Sequence, residues 1–252
     1  MRKAGATVLI VAHGQPSDPD PAEEEIGRLA AEVRAAALAA PGRALAGASG
    51  AASEIPALRI LSATLAHPSA LRAAVASAGG APLTVFPLFM AGGWFTTVHL
   101  PERLRAAGAG PLRMLDALGT LPAVQDLAVE LACGAPDGGP GGGPILLAAH
   151  GSSRSDAPSA VAQAVAQRIA AATGRRTGAA FIDQHPRIAQ AQGLGPGSIC
   201  LPYFAARGGH VTTDLPAALH AAGFAGTLLP PVGTDPRIPG LIARMLIAEA
   251  ER

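Results

Sequence analysis

Histidine is the residue type whose placement in this 252-residue chain points most directly to chemistry. Near neutral pH an imidazole can accept a proton or bind a divalent first-row metal ion, and few other side chains do both. All the histidines except the last lie in motifs that occur twice in the sequence. The seven are His13, His67, His99, His150, His185, His210 and His220.

His150 and His210 are the strongest candidates for acid–base or metal chemistry. Each follows an apolar run that predicts a buried strand, and each has a neighbouring glycine, Gly151 or Gly209, that lets the backbone approach a ligand. A single loop histidine is more often a packed or hydrogen-bonded side chain, but two at matched strand ends of one unit favour a shared site. Two imidazoles make an incomplete metal cage, which suits an ion that is held loosely and passed on.

Two further histidines are candidate metal ligands with weaker support. His185 has an acidic neighbour, Asp183, although a turn at His185-Pro186 explains the same residues equally well. His13 ends a run that matches the one before His150. By contrast, His220 lies within a predicted helix, where a solvated face accounts for it.

The histidine motifs lie in two copies of one unit. Residues 7–17 recur as 144–154, and residues 85–94 recur as 200–210. In this alignment Trp94 stands where the second copy has His210, and indole has no lone pair for a metal. The first unit therefore keeps His13 but is predicted to have a degenerate metal site.

Shorter matches support the duplication. His67-Pro68 corresponds to His185-Pro186, and the Leu-Gly-Thr at 118–120 corresponds to the Val-Gly-Thr at 232–234. His99 falls near the position of Asp214. The repeat predicts an N-terminal unit at 1–133, a Gly/Pro-rich linker at 134–144 and a C-terminal unit at 145–252, with an insertion in the first copy at about 40–53.

The elements that position these motifs are short apolar strands alternating with Ala-rich helices, which predicts an α/β fold with parallel, doubly wound sheets. The predicted strands cover 8–12, 85–88, 145–149 and 199–203, and the predicted helices cover 21–39, 160–172, 216–222 and 241–250. Ligands of such sheets bind outside the carboxyl ends of the strands, where His13 and His150 stand.

Composition excludes several classes of protein. The formal net charge of +1 lacks the excess of Lys and Arg that nucleic-acid binding needs, and 49% hydrophobic residues exclude a disordered chain. Two distant cysteines, Cys133 and Cys200, support no disulfide framework, four-cysteine zinc site or iron–sulfur cluster.

Membrane insertion and export are also not expected. The longest uncharged stretch, between Arg72 and Glu102, is interrupted by Pro82 and Pro87. The apolar run at 7–12 is too short for a signal peptide and reads as a first strand. We therefore expect a cytoplasmic protein with no membrane segment, either a monomer or a homodimer.

Two segments carry a family resemblance: Leu-Ala-Ala-His-Gly-Ser-Ser-Arg at 147–154, and 202–216, which contains His210. They resemble the class II chelatases of tetrapyrrole synthesis, specifically the long, two-unit sirohydrochlorin chelatases. The resemblance implies two flavodoxin-like (chelatase-like) domains, each a small parallel sheet flanked by helices, that face each other across a cleft. It also implies ATP-independent insertion of cobalt or iron into sirohydrochlorin, a lyase-class step of cobalamin, siroheme or porphyrin biosynthesis. The implied metal-handling residues are His150 and His210, the metal is a substrate, and no organic cofactor is expected.

The implied substrate is a ring with eight carboxylates, which a chain of net charge +1 must bind through local cations. Arg154 and Arg207 stand beside the two histidines and are the candidates, although solvated surface arginines have the same pattern. Ser152 and Ser153, at the expected start of a helix, either cap it or donate to a carboxylate. Trp94 is a candidate for packing on the ring face, with burial in the core as the alternative.

Other functions fit parts of the sequence. A non-catalytic carrier of tetrapyrrole or metal would have the same fold, and a chelatase for another ring or for nickel would use the same residues. A histidine phosphatase also places His-Gly after its first strand, but it needs a preceding arginine where Ala12 and Ala149 stand. An α/β protein without metal chemistry would require the matched histidines to be accidental.

Overall fold

The computed structural model describes residues 7–40, 58–136 and 141–251. Most of the predicted insertion at 40–53 and part of the predicted linker at 134–144 lie outside these residues. None of the helices described in these ranges combines the length and the apolar character that crossing a bilayer requires.

The first sheet has four parallel strands in the order β2-β1-β3-β4. Its central strand β1 is apolar on both faces and five of its six residues are buried, as expected for a strand covered by helices on both sides. The strands are β1 (Thr7–Ala12), β2 (Arg59–Thr64), β3 (Leu83–Pro87) and β4 (Leu112–Met114), and the accompanying helices are α1 (Pro19–Ala39), α2 (Ala70–Ala78) and α3 (Leu100–Ala106).

The second sheet repeats this arrangement, with four parallel strands in the order β6-β5-β7-β8. All residues of its central strands β5 and β7 are buried. The strands are β5 (Ile145–Ala149), β6 (Thr177–Phe181), β7 (Ile199–Pro202) and β8 (Thr227–Leu228), and the remaining helices are α4 (Pro122–Cys133), α5 (Ala157–Thr173), α6 (Leu215–Ala221) and α7 (Ile238–Glu251). The predicted α/β fold with two flavodoxin-like domains is therefore confirmed.

The order of the strands sets where a ligand can bind. In each sheet the chain moves outward in one direction from the first strand and then crosses to the other side, so the order reverses between β1 and β3 and between β5 and β7. The loops that leave two such strands diverge and open a crevice at their carboxyl ends. The predicted site residues after β5 and β7 lie at this point of the second sheet.

The described residues form two compact units that do not coincide with the two sequence repeats. The first unit takes its residues from Met1–Leu88, Thr97–Asp116 and Pro236–Arg252, and the second from Phe89–Thr96 and Ala117–Asp235. Consequently α7, at the end of the second repeat, packs against α1 in the first unit. Likewise α4, at the end of the first repeat, packs against α5 in the second unit. The predicted segments 1–133 and 145–252 describe the duplication of the sequence, whereas each unit receives its last helix from the other repeat.

Two π-helical turns lead into α3 and α6. They cover Phe95–His99 and His210–Asp214. Each continues directly into a helix whose second residue is proline, Pro101 or Pro216, which has no N–H to donate to the preceding turn. The second turn places His210 at its first position.

Burial keeps two ionisable groups of the second unit protonated. The Cys200 side chain lies in the core of the second sheet, and burial strongly raises the pKa of its thiol. Burial likewise raises the pKa of the Tyr203 hydroxyl, an effect that the positive charge of Arg168 partly opposes. The Tyr203 hydroxyl donates a hydrogen bond to the Gly119 carbonyl at 2.6 Å, which requires its neutral form.

We expect the free energy of unfolding to fall at alkaline pH. The unfolded chain ionises its thiols above about pH 8.5 and its tyrosine above about pH 10, whereas the folded chain keeps Cys200 and Tyr203 neutral. The free energy of unfolding is therefore unaffected by these groups below the pKa values that they have in the unfolded chain. Above those values it falls by about 1.4 kcal/mol per pH unit for each group. Urea unfolding at a series of pH values measures this slope. Cys200→Ala should reduce it, whereas replacement of the exposed Cys133 should not; equal slopes in both variants would contradict the assignment.

Candidate functional site

The site lies where β5 and β7 end. His150 follows β5, and His210 follows β7 after a short loop. Gly151 turns the chain sharply after His150 with a φ of +76°, and a Cβ there would lie 2.7 Å from the Cβ of Gln184. Because only glycine tolerates both the conformation and the close approach, Gly151 fixes the direction in which the His150 side chain leaves the strand.

The structure brings His150 and His210 together. Their Nε2 atoms are 3.1 Å apart, and the two rings are nearly perpendicular, with an interplanar angle of 83°. About half of each side chain is exposed, 42% for His150 and 51% for His210. The pair is thus half-exposed and accessible to a ligand.

The surroundings of the two rings determine where their protons are. The Nδ1 atom of His150 lies 3.0 Å from the Gly151 carbonyl oxygen, and that of His210 lies 2.7 Å from Oδ2 of Asp214. A carbonyl and a carboxylate oxygen can only accept, so each Nδ1 carries a hydrogen and donates. Both Nε2 atoms therefore present lone pairs to each other, and a single cation between them, a proton or a metal ion, satisfies both.

This arrangement also fits a metal ion geometrically. With nitrogen–metal distances of about 2.1 Å, the measured separation of the Nε2 atoms corresponds to an angle of about 95° at the metal, as for two adjacent ligands. Acceptors that orient metal-binding imidazoles through Nδ1 are the usual outer partners of such ligands. Within the ranges that the structure describes, no group of three or more His, Cys, Asp or Glu side chains is placed to hold a metal. An ion bound by the pair would therefore keep most of its coordination positions open.

Two carboxylates complete the pair's surroundings. Oδ2 of Asp183 lies 3.5 Å from Nε2 of His150, and Oδ1 of the same residue lies 4.0 Å from a guanidinium nitrogen of Arg187. The backbone N–H of Asp183 donates to the His150 carbonyl at 2.9 Å, which ties the loops after β5 and β6 together. The sequence indicates Asp183 only as a neighbour of His185, and the role of Asp214 is visible in the structure. The spacing of four residues between His210 and Asp214, one helical turn, is the signal that would have found it.

Several other predicted residues lie in the loops around the pair. The Oγ atom of Ser152 accepts a hydrogen bond from the backbone N–H of Arg154 at 3.1 Å. The backbone N–H of Ser152 donates to Oε1 of Gln184 at 3.0 Å. The expectation that Ser152 and Ser153 lie at the start of a helix is wrong, because α5 begins at Ala157 and the serines belong to the loop before it. Ser153 is exposed in that loop, as Arg207 is in the turn before His210.

His185 is not brought to the pair. It is exposed in the turn after β6, and among the contacts of the described residues none joins it to His150 or His210. His185 therefore stays a prediction as a metal ligand.

The first repeat preserves half of the arrangement. His13 is exposed after β1, and its Nδ1 lies 3.0 Å from the Gly14 carbonyl, as in His150. The two π-helical turns align Phe95 with His210, so phenylalanine and not Trp94 replaces the second histidine. The sequence alignment was one residue out of register here. His99 takes the place of Asp214, and a phenyl ring cannot bind a metal, so the first repeat supplies one imidazole that matches the pair, His13.

The match between His67-Pro68 and His185-Pro186 is also out of register by one residue. The backbone N–H of Ala66 donates to the His13 carbonyl, and the backbone N–H of Asp183 donates to the His150 carbonyl. Ala66 therefore corresponds to Asp183, and His67 corresponds to Gln184. In the first unit the Nδ1 atom of His67 accepts the Ala70 N–H at 3.1 Å at the start of α2. Its ring therefore has a structural role at that helix end.

Trp94 contacts a residue of the second repeat. The guanidinium carbon of Arg154 lies 5.8 Å from the centre of the indole, within the range of a cation–π interaction. Trp94 is 46% exposed, so the alternative of burial in the core does not describe it. Both residues belong to the second compact unit.

Comparison with known proteins identifies the family. A sequence profile of the CbiX family matches residues 144–249. A solved structure described as CbiX, the terminal enzyme for biosynthesis of siroheme in denitrifying bacteria, is 42% identical, covers 96% of this chain and 98% of its own, and superimposes with a TM-score of 0.78. The chain belongs to the CbiX family. No curated protein sequence matches it.

Two more distant structures share the fold of this CbiX-family chain. The structure of SirB from Bacillus subtilis with Fe3+ is 13% identical in sequence, and its TM-score is 0.65. The match covers 98% of this chain and 95% of the SirB chain. The sirohydrochlorin chelatase SirB from Bacillus subtilis subspecies spizizenii, in complex with cobalt, is 16% identical, covering 97% and 96% with a TM-score of 0.60. The CbiX profile spans both histidines and both carboxylates of the site, whereas Trp94 lies outside it.

Proposed function

We propose that this CbiX-family protein inserts divalent cobalt or iron into sirohydrochlorin without ATP, with the metal ion as a substrate. The observation that carries the proposal is the pair of Nε2 lone pairs 3.1 Å apart, with an acceptor on the Nδ1 side of each ring. The similar CbiX is an enzyme of siroheme biosynthesis, and the structures of SirB hold Fe3+ or cobalt, which supports the choice of ring and metals.

Insertion exchanges one divalent ion for the two pyrrole N–H protons of the ring. His150 and His210 bind the ion through Nε2 and leave its other positions to water and then to the ring nitrogens. When the ion moves to the ring, the Nε2 atoms are free to accept the departing protons. Asp183, 3.5 Å from Nε2 of His150, stabilises that imidazolium and lies on the route of the proton to water.

The ring's carboxylates require cations and hydrogen-bond donors around the pair. Arg154 and Arg207 supply the charge, and the hydroxyls of Ser152 and Ser153 are in the same loop as Arg154. Trp94 stands beside Arg154 and completes this surface. His13 and His185 are not needed for the reaction as proposed.

Anaerobic mixing of sirohydrochlorin with cobalt(II) or iron(II), followed by the absorbance of the ring, tests the reaction. We expect the protein to accelerate metal insertion over the uncatalysed rate with both ions, and comparison with nickel(II) then defines the choice of metal. The absence of acceleration by the protein would contradict the proposal. Tight binding of the ring without turnover would instead identify the carrier considered from the sequence.

Replacement of Asp214 by alanine is expected to weaken cobalt binding by the pair about 10- to 100-fold. Its carboxylate holds the His210 ring through Nδ1 at 2.7 Å, and without it the ring rotates and its Nε2 no longer faces His150. Equilibrium binding of cobalt(II), read from its absorption bands, measures the effect. Asp156→Ala is the matched control, since that carboxylate is exposed in the same unit and makes no side-chain cap hydrogen bond to α5. Equal losses in both variants would show a general charge effect.

A further inference from the structure

The first repeat contributes a segment to the second unit beside the proposed site. Phe89–Thr96 belongs to the second compact unit although it follows β3 of the first sheet. Gly93 lies against Ser155, since a Cβ built on this glycine would be 3.6 Å from the serine Oγ. The indole of Trp94 is next to this contact and 5.8 Å from the guanidinium carbon of Arg154.

Other aromatic rings support the indole. The Phe95 ring meets Trp94 edge to face, with centroids 6.5 Å apart and an angle of 73°. Phe89 packs on Phe95 in turn, at 5.2 Å. Because aromatic pairs prefer defined geometries, the contact with Phe95 favours one orientation of the indole, and the Arg154 guanidinium lies within cation–π range of it.

Arg154 is a cation with no acidic partner among the described residues. None of the ion pairs in that part of the chain includes it. It follows His150 by four residues in the same exposed loop, and its backbone N–H is held by Ser152. The charge is therefore available to an anion beside the histidine pair.

We propose that Trp94 is a positioning residue that holds Arg154 for a carboxylate of the tetrapyrrole. A guanidinium contacts an aromatic ring with its face, while its N–H donors lie in its own plane and point outward from the edge. The guanidinium carbon of Arg154 lies 5.8 Å from the indole centre, and in the geometry we propose its face is toward the indole while its edge pairs with a carboxylate in bidentate fashion. This inference rests on the proposed function, and it assigns recognition of the ring's rim to a contact between the two repeats.

Binding of a metal-free octacarboxylate porphyrin, read from its own absorbance and fluorescence, tests the inference without turnover. Arg154→Gln is expected to weaken binding roughly tenfold, and Trp94→Ala roughly threefold. Because Trp94 acts through Arg154, the double variant should bind no more weakly than Arg154→Gln alone. Trp94→Phe, which keeps an aromatic face, should recover part of the affinity. The Arg154→Gln substitution should weaken the binding of a tetracarboxylate porphyrin by a smaller factor than the binding of the octacarboxylate porphyrin.

Controls separate this role from a structural one. Arg168→Gln removes the same charge from the same unit, at an arginine that pairs with Asp126, and should leave porphyrin binding unchanged. Cobalt(II) binding by the histidine pair should be equal in Trp94→Ala and the unaltered protein. Additive losses in the double variant, or a parallel loss of cobalt binding, would overturn the inference. Failure of metal insertion with intact Arg154-dependent porphyrin binding would overturn the proposed function alone.

Discussion

Alanine at position 210 or 150 is expected to lower the rate of metal insertion at least about a hundredfold. Each substitution removes one of the two Nε2 atoms that lie 3.1 Å apart, and a single imidazole neither fixes the position of the ion nor accepts both protons. The initial rate of cobalt(II) insertion into sirohydrochlorin measures the loss. Since the two rings act as one unit, the double variant should be no slower than the slower single variant.

His220→Ala is the matched control for these variants, because this histidine is exposed in α6 of the same unit. It should retain the full rate. Binding of the metal-free octacarboxylate porphyrin should survive in all of the histidine variants, since the ring's carboxylates are held elsewhere. Full activity in either His150→Ala or His210→Ala would refute the assignment of the pair.

The second large effect is on stability, at Gly233. A Cβ at this position would lie 2.3 Å from the Ala205 carbonyl oxygen, and the N–H of Gly233 donates to the Phe204 carbonyl at 2.9 Å. Backbone must therefore move to admit any side chain, so Gly233→Ala should lower the free energy of unfolding by roughly 3 kcal/mol. Gly119, its counterpart in the repeat, would place a Cβ 2.2 Å from the Met90 carbonyl oxygen.

Gly27→Ala is the control for this prediction. A Cβ at Gly27 meets nothing within 4 Å and the residue lies inside α1, so the variant should gain about 0.5–1 kcal/mol from the reduced flexibility of the unfolded chain. Urea unfolding of both variants gives the two values. A loss of less than about 1 kcal/mol in Gly233→Ala would show that the loop after β7 yields to the new methyl group.

The sequence predicts the central strands well and the edge strands poorly. Because β1 and β5 are buried on both faces, they are unbroken apolar runs with a distinct signature. By contrast, β4 has no buried residue and β8 has two residues, so neither produces a run long enough to recognise. Their pairing with β3 and β7 depends on the backbone and not on an apolar pattern.

The site was predictable where it depends on position along a strand. His150 and His210 follow adjacent central strands, so their proximity follows from the topology. The contact of Trp94 with Arg154 depends on which unit the loop after β3 joins, and no local pattern contains that information. The alignment that paired Trp94 with His210 matched the Gly-Gly pairs at 92–93 and 208–209, which are displaced by one residue within segments of equal length. The π-helical turns give the true register.

The exchange of last helices determines the order in which the protein can be completed during synthesis. Strand β1 belongs to a unit whose α1 packs against α7, and the ribosome makes α7 after every element of the second unit. All elements of the second unit, including helix α4, have been synthesised by Asp235, before helix α7 of the first unit is made. The unit that carries the histidine pair is thus complete first, and cutting the chain between the repeats would leave each fragment with the helix that the other one needs.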